Sequence, residues 1–225
     1  RNLFVEKYGQ SEDKTAVLYI GNDEYFRPVT TAESIIFANY NQREFLLTVS
    51  HLYPYKNIEL LIESFKQLSL KQRGLYLLIA GSIIDEPYYE RLKGLLERYG
   101  ISDHVFFLGR LERSELKELY SQCKAFVFTS PFENFAYTLV EAMSCGAPII
   151  TTNTTAMPET CGEAALYFSP NKEEELSSCI SRFLDDEKLR VLYKEKALIR
   201  AEKFEVYSVV NQKTNKLLKG LVDKS

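Results

Sequence analysis

The sequence has no tryptophan, only two methionines and two histidines, and no long apolar run in its 225 residues. His51 and His104 are too few to indicate a histidine-rich metal site. No apolar stretch approaches the roughly 18 residues that span a membrane, and no signal-peptide pattern opens the sequence. The four cysteines lack the C-x-x-C spacing of zinc and redox sites. Reduced thiols and a cytoplasmic location are therefore expected.

Neither sign of charge dominates the sequence, because 28 Lys and Arg residues and 31 Asp and Glu residues give a net charge of -3. This balance gives no bulk attraction for nucleic acid. The 45% hydrophobic and 26% charged residues exclude disordered, collagen-like and disulfide-scaffold classes. The chain begins with Arg1, not Met, in the middle of a pattern, so we expect it to be a piece of a longer protein.

Short apolar runs recur from residue 45 onward. Their continuous apolar character, without alternation, predicts strands that are covered on both faces, as in a parallel sheet. The predicted strands are FLLTVSH (45–51), LYLLIAG (75–81), HVFFLG (104–109), AFVFTS (125–130), APIIT (147–151) and AALYFS (164–169).

Amphipathic segments separate these runs, and residues 57–70, 87–99 and 114–121 predict helices. Strands that alternate with helices form right-handed βαβ units. The sequence therefore predicts an α/β fold, a Rossmann-like doubly wound parallel sheet with its ligand crevice beyond the carboxyl ends of the strands. Residues 172–221 break the alternation and predict three extra C-terminal helices.

The most informative segment is FVFTSPFENFAYTLVEAMSCGAPIITT (126–152), in which a strand ends near Ser130 and a helix begins near Ala136. Free N–H groups at such a helix start suit a phosphate or diphosphate. Glu133 precedes the helix, and Glu141 lies roughly 7–8 Å along its axis, within reach of a ribose. From spacing alone, two solvated surface acids are an equal alternative.

This segment resembles the Glu-x7-Glu segment of glycosyltransferase family 4, the retaining GT-B enzymes that use nucleotide-sugar donors. The matching residues are Glu133, Phe135, Glu141, Ala142, Met143, Cys145, Gly146 and Pro148. Further segments resemble other family elements in the correct order, at residues 17–28, 46–65, 104–111 and 157–170.

The resemblance implies catalytic roles for Glu133, Lys56 and His51. Glu133 would contact hydroxyls of the transferred sugar, and Lys56 would neutralise the departing diphosphate, where a fixed cation stabilises developing charge. Taken alone, Lys56 is better explained as a solvated lysine at a helix start, because most lysines are surface residues. The family usually has Arg where this sequence has His51, a weaker and pH-dependent cation.

The resemblance also implies donor contacts from the neighbouring loops. Glu141 would hold the ribose, backbone at Gly81 would approach the ligand, and the base would lie by the turn at Arg110 and Leu111. The loop and helix start would line the sugar and phosphates with Asn134, Phe135, Ala136, Tyr137 and Thr138. Arg110 could instead be a surface arginine, and Gly81 could simply make a turn. Asn134 and Ala136 replace the family's usual glycines.

The implied function is the donor-binding, C-terminal half of a GT-B hexosyltransferase of the EC 2.4 class, acting with retention and without a metal or cofactor. Residues 1–28 would connect to a separate N-terminal acceptor domain. Residues 29–206 would form the donor domain, and a helix over 207–225 would cross back to the N-terminal domain. The chain alone is therefore expected to transfer little or nothing.

The expected partners are a nucleotide-sugar donor and that N-terminal domain, with no nucleic acid. Peripheral membrane association of the full-length protein is expected if its acceptor is lipid-linked. Two alternatives stay open: a non-catalytic nucleotide-sugar sensor or partner subunit, suggested by His51 and Ala136, and a non-hydrolysing nucleotide-sugar epimerase. A dinucleotide oxidoreductase is disfavoured because no G-x-G-x-x-G follows a strand.

Overall fold

The computed structural model of the protein describes residues 2–9, 11, 15, 17, 21–29 and 43–222. Within these ranges the chain forms two compact units. The larger comprises Tyr25–Lys203, and the smaller combines the two ends, Arg1–Glu24 and Phe204–Ser225. Parts of the predicted connecting segment and of the donor domain, residues 18–20 and 30–42, lie outside the described residues. The domain roles assigned to these segments stay predictions.

The larger unit is built on a six-stranded parallel sheet, as the apolar runs predicted. Each observed strand is slightly shorter than its predicted run or shifted by a residue. The strands are β1 (Phe45–Val49), β2 (Tyr76–Ala80), β3 (Val105–Gly109), β4 (Ala125–Phe128), β5 (Ile149–Thr152) and β6 (Ala165–Phe168). Their order across the sheet is β3-β2-β1-β4-β5-β6, which confirms the Rossmann-like, doubly wound fold.

Helices separate the strands along the chain and also precede and follow them in sequence. In the described residues they are α1 (Asn2–Tyr8), α2 (Ile58–Gln67), α3 (Glu86–Tyr99), α4 (Arg113–Gln122), α5 (Tyr137–Ser144), α6 (Met157–Cys161), α7 (Glu173–Asp185), α8 (Glu187–Ala201) and α9 (Tyr207–Val222). The predicted helices between strands and the three C-terminal helices are confirmed. The sequence reasoning missed α6 and a 3-10 turn over Pro54–Lys56, because elements this short carry no periodic signal.

The core lies on both sides of the central strands. All five residues of β1 are buried, and α2 packs against the sheet through Ile58, Leu61 and Phe65. On α5, Leu139, Val140 and Met143 are buried, which leaves the start of that helix at the rim of the sheet. Burial on both faces explains why these strands read as continuous apolar runs.

The chain changes direction between β1 and β4, which are neighbours in the sheet although β2 and β3 separate them in sequence. Leu46 pairs with Ala125 and Leu47 with Phe126. From β1 the chain winds outward through β2 to β3, and from β4 it winds the opposite way to β6. Such a switch point opens a crevice at the carboxyl ends of the strands, where ligands bind in doubly wound folds.

Within the described residues of the smaller unit, a short parallel bridge joins the two ends of the chain. Asn22 pairs with Val206, where the Asn22 N–H donates to the Glu205 carbonyl at 2.7 Å and the Tyr207 N–H donates to the Asn22 carbonyl at 3.0 Å. α9 follows directly from this bridge. Over the part of the chain that the structure describes, no helix has the length and apolar character needed to cross a membrane.

Candidate active site

A cavity of about 260 Å³ lies at the carboxyl ends of β1, β2 and β4, in the predicted crevice. Its lining residues come from the ends of these strands, from the loop after β4 and from the first turn of α5. They are Val49, Ser50, His51, Lys56, Gly81, Phe128, Glu133, Phe135, Ala136, Tyr137 and Thr138. The structure thus brings together all three predicted catalytic residues and most of the predicted donor contacts.

The other predicted site residues lie apart from this lining. Asn134 is exposed within the same loop, and Glu141 is half-buried one turn inside α5. Arg110 is exposed and Leu111 half-buried just after β3. A ligand that reached all of them would extend from the cavity towards the end of β3 on one side and along α5 on the other.

An ion pair between Lys56 and Glu133 is the main electrostatic feature of the cavity. The Lys56 ammonium donates to Glu133 Oε1, and the two side chains are only 11% and 16% exposed. The same ammonium lies 4.6 Å from the centre of the Tyr55 ring and 5.6 Å from that of Phe128. Aromatic faces attract a cation and exclude water from it, so this charge acts more strongly than one in open solvent.

Backbone contacts hold Lys56 in place. The 3-10 turn that ends at Lys56 is followed by Asn57 with a left-handed φ of 55°, and the Asn57 N–H donates to the Pro54 carbonyl at 3.1 Å. The buried Thr129 hydroxyl, just beyond β4, donates to the Lys56 carbonyl at 2.7 Å. The turn is therefore tied to the neighbouring strand across the switch point.

Tyr88 holds the next part of the chain, the start of α2. Its hydroxyl accepts from the Ile58 N–H at 3.0 Å and donates to the Glu59 carboxylate. Burial, reinforced by the bond to Glu59, raises the pKa of Tyr88, so the phenol stays neutral. The sequence reasoning did not identify this contact, because nothing in the sequence places Tyr88 near residue 58.

Threonine hydroxyls at the end of β5 and just after it hold the loop that carries Glu133. Thr152 donates to the Ser130 carbonyl at 2.8 Å, and Thr154 donates to the Pro131 carbonyl at 2.7 Å. Thr155 accepts from the Glu133 N–H at 3.1 Å. The sequence reasoning missed these threonines as well. Their only signal was the unusual TTNTT run itself, which does not reveal the partner loop.

The N-terminus of α5 opens into the cavity without a side-chain cap. Its first flanking residue, Ala136, has φ -98° and no capping side-chain hydrogen bond. The first N–H groups of a helix have no intrahelical partner, so they are donors for a ligand. Ala136 adopts an ordinary negative φ, and Asn134 is not among the positive-φ residues. Neither substitution of the usual family glycines therefore strains the backbone.

Glu141 is held from behind by a buried tyrosine. The Tyr120 hydroxyl donates to Glu141 Oε2 at 3.2 Å, and Tyr120 is fully buried beneath α5. Burial, together with the nearby Glu141 charge, raises the pKa of Tyr120 well above its usual range. The phenol therefore remains a donor, which fixes the orientation of one carboxylate oxygen of Glu141.

Gly81 is required by the backbone of the neighbouring strand. Its φ is 139°, and a Cβ atom at this position would lie 1.9 Å from the Ser50 carbonyl oxygen. This contact explains the glycine without a ligand, although Gly81 also lines the cavity. Among the described residues, no group of three or more His, Cys, Asp or Glu side chains could hold a metal ion.

Comparison with known proteins places this chain in a family. Residues 30–200 match the family model described as glycosyl transferases group 1. A serotype-specific mannosyltransferase of Escherichia coli, WbdA, is 33% identical over 162 residues, which is 72% of this chain and 20% of that protein. An O-antigen chain mannosyltransferase B of Escherichia coli is 29% identical over 76% of this chain and 45% of that protein. The chain thus spans less than half of either relative.

A solved structure shows the same fold. The crystal structure of HepE from Anabaena in complex with UDP and glucose superposes with a TM-score of 0.84 at 21% identity. The match covers 96% of this chain and 59% of that one. The sheet and helices described above are therefore those of a GT-B glycosyltransferase, and the chain belongs to the group 1 glycosyltransferases.

Proposed function

We propose that this chain is the donor-binding half of a retaining hexosyltransferase, and that its cavity holds the sugar and diphosphate of a nucleotide-sugar. The observation that carries the proposal is the Lys56–Glu133 ion pair beside the uncapped start of α5. The cavity thereby offers a cation and free N–H donors for a diphosphate, next to a carboxylate that can accept from sugar hydroxyls.

Each side chain has a distinct task in this proposal. When the donor binds, a phosphate oxygen replaces Glu133 as the partner of Lys56, and Glu133 turns to a hydroxyl of the transferred sugar. As the bond from the anomeric carbon to the diphosphate breaks, Lys56 and the N–H groups at Ala136, Tyr137 and Thr138 stabilise the charge on the departing oxygen. His51 lies at the same cavity wall and adds positive charge when it is protonated.

The nucleoside is proposed to extend away from the cavity. Glu141, oriented by Tyr120, accepts from the ribose hydroxyls, and the base lies beside Arg110 and Leu111 after β3. The mannosyltransferase relatives, and the UDP and glucose in the HepE structure, support a hexose on a nucleoside diphosphate. No metal or other cofactor takes part in the proposal, because Lys56 and the helix start supply the positive charge.

The acceptor is proposed to bind a second domain outside this chain. Residues 1–28 would lead from that domain, and α9, within 207–225, would pack back onto it. The chain alone would then bind donor but transfer little. We propose a cytoplasmic protein that associates with a membrane surface if its acceptor is lipid-linked. Rapid sugar transfer by this chain alone would contradict the proposal that the donor and the acceptor bind to different domains.

The donor site can be tested by thermal unfolding of this chain with UDP, GDP, ADP and sugars of each. A ligand that binds only the native state at 100 times its Kd adds about 2.7 kcal/mol, which for a chain of this size raises Tm by roughly 5–10 °C. At least one nucleotide-sugar should give such a shift. The shift should largely disappear in Lys56→Met and persist in the control Lys66→Met, which removes an exposed lysine from α2. No shift with any ligand would overturn the proposal.

A further inference from the structure

Thr155, in the loop after β5, has a backbone conformation that its side chain disfavours. Its φ is 49°, in the left-handed region where the Cβ atom crowds the backbone. The other described non-glycine residues with positive φ are Asn57, Ser69 and Asn171, none of which is β-branched. A β-branched residue in this region is an outlier, and strain of this kind persists where the surroundings impose it.

The strained conformation places the Thr155 hydroxyl against the loop that carries Glu133. The hydroxyl oxygen accepts from the Glu133 backbone N–H at 3.1 Å, across 22 residues of sequence. On its other side the same oxygen lies 3.8 Å from the sulfur of buried Met157, to which it donates. The Thr155 hydroxyl therefore acts both as an acceptor and as a donor, and these two contacts fix its orientation.

Thr155 completes a set of three hydroxyls at the end of β5 and in the loop that follows it. Thr152 and Thr154 bind the carbonyls of Ser130 and Pro131, where strand β4 gives way to the loop. Thr155 binds the N–H of Glu133 itself, the residue whose carboxylate meets Lys56 in the cavity. The first two contacts anchor the base of the loop, and only the third reaches the residue that faces the ligand.

We propose that Thr155 is a positioning residue that holds the backbone of Glu133 where its carboxylate can reach the sugar of the donor. The inference rests on the proposed role of Glu133 in contacting that sugar. Because the Glu133 N–H is already occupied by Thr155, it is not a donor for the diphosphate. Loss of the Thr155 hydroxyl should therefore weaken recognition of the sugar more than binding of the nucleoside diphosphate.

Three substitutions separate the hydroxyl from the backbone strain. Thr155→Ser keeps the hydroxyl, Thr155→Val keeps the branched side chain without the hydroxyl, and Thr155→Gly removes both. The measured quantities are the Kd for UDP-glucose relative to UDP, the Kd for GDP-mannose relative to GDP, and Tm without ligand. The comparison uses whichever of these two ligand pairs shows tighter binding of the nucleotide-sugar than of the nucleoside diphosphate in the unsubstituted chain. The Glu133→Gln variant shows how much of that preference is lost when the carboxylate itself is removed.

We expect Thr155→Ser to keep the preference for the nucleotide-sugar. In both Thr155→Val and Thr155→Gly this preference, measured as the ratio of the two Kd values, should fall about 3- to 10-fold, the effect of one hydrogen bond. Relief of the left-handed strain should give Thr155→Gly a higher Tm than Thr155→Val, by about 2–4 °C. A merely structural threonine would make sugar recognition follow Tm, so that the glycine variant binds sugar better than the valine variant.

The outcomes distinguish this inference from the proposed function. If Glu133→Gln loses the preference but Thr155→Val keeps it, Thr155 does not position Glu133 and the donor site stands. If Glu133→Gln keeps the preference, the proposed role of Glu133 fails and this inference falls with it. Amide hydrogen exchange checks the contact without any ligand. Exchange at Glu133 should accelerate in Thr155→Val and not in Thr155→Ser, and equal rates in both would overturn the inference.

Discussion

The two ends of the sheet carry ion pairs of different character. At the amino-terminal edge, Lys71 donates to Asp103 at 2.8 Å, with side chains 33% and 62% exposed. At the carboxyl-terminal edge, the Lys56–Glu133 pair is 11% and 16% exposed. Water screens the first pair, so it contributes little to stability. The second pair loses the solvation of both charges, and the attraction between them does little more than offset that loss. The fold alone therefore gains little from the charges in the cavity, in keeping with the ligand role proposed for them above.

The backbone shows the same contrast between the two edges. Gly100 ends α3 before the amino-terminal edge with φ 64°, and a Cβ atom there would meet nothing within 4 Å. Gly81 directly follows β2 at the carboxyl-terminal edge, where a Cβ atom would overlap the Ser50 carbonyl. One glycine serves a helix end in open space, and the other allows two strand ends to approach beside the cavity.

The largest expected effect follows from this second contrast. Gly81→Ala should lower the free energy of unfolding by about 3 kcal/mol or more, because the new Cβ overlaps backbone that cannot move aside. Gly100→Ala should cost about 1–2 kcal/mol, the strain of a left-handed residue alone. Urea unfolding of both variants measures the difference. Equal losses would mean that the β1 and β2 ends separate easily, and the close approach would not be a constraint.

The next effect tests the two lysines. Lys56→Met should raise the Kd for a bound nucleoside diphosphate by about 10- to 100-fold, because it removes a poorly solvated cation from the anion. Lys71→Met should leave that Kd unchanged and shift Tm by less than about 2 °C. Calorimetric titration with UDP and GDP on both variants measures this. If Lys56→Met and Lys71→Met weakened binding to a similar extent, the overall charge of the chain and not the cavity would attract the ligand.

A smaller effect is expected behind the site. Tyr120→Phe removes the hydroxyl that orients Glu141 while keeping the buried ring, so it should cost about 1 kcal/mol of stability. Nucleoside diphosphates should bind about 3- to 10-fold more weakly, whereas inorganic diphosphate should not be affected. Binding of a 2′,3′-dideoxynucleoside diphosphate provides the check. If the substitution weakens that ligand equally, Glu141 does not act on the ribose.

The smallest effect concerns pH at the amino-terminal edge. The hydrogen bond from Lys71, and next that from His104, lower the pKa of Asp103 from 3.8 to about 2. A carboxylate with a lowered pKa stabilises the fold fully above its ordinary pKa and loses this contribution as the pH falls towards 2. Asp103→Asn should therefore lower Tm slightly at pH 7 and not at pH 2. If the Tm difference between the unsubstituted chain and Asp103→Asn grew as the pH fell, the expected loss of stabilisation in acid would be wrong.

The fold could be predicted from the sequence because its signals are local. Burial on both faces makes each strand a continuous apolar run, and the helix start near residue 136 follows from the break at Pro131 and the periodicity after it. The resemblance to a known family then indicated which residues gather at the carboxyl ends. Lys56, Glu133 and the first turn of α5 do line one cavity.

The contacts that hold the site could not be predicted, since each joins residues that are distant in sequence. Ser50 faces Gly81, Tyr120 reaches Glu141, and Glu133 meets Thr155 only after the strands have paired. A hydroxyl or a glycine looks the same in the sequence whatever it faces. Such positions become visible only through a distance or a disfavoured φ in the folded chain.

The position of β1 in the sheet also affects how the chain is made. β1 pairs with β2 on one side and with β4 on the other, so one edge of this fully buried strand stays open until residues 125–128 have emerged from the ribosome. An open apolar strand edge is a template for aggregation. A chain without β4 would therefore leave one edge of β1 unpaired and open to association with another chain.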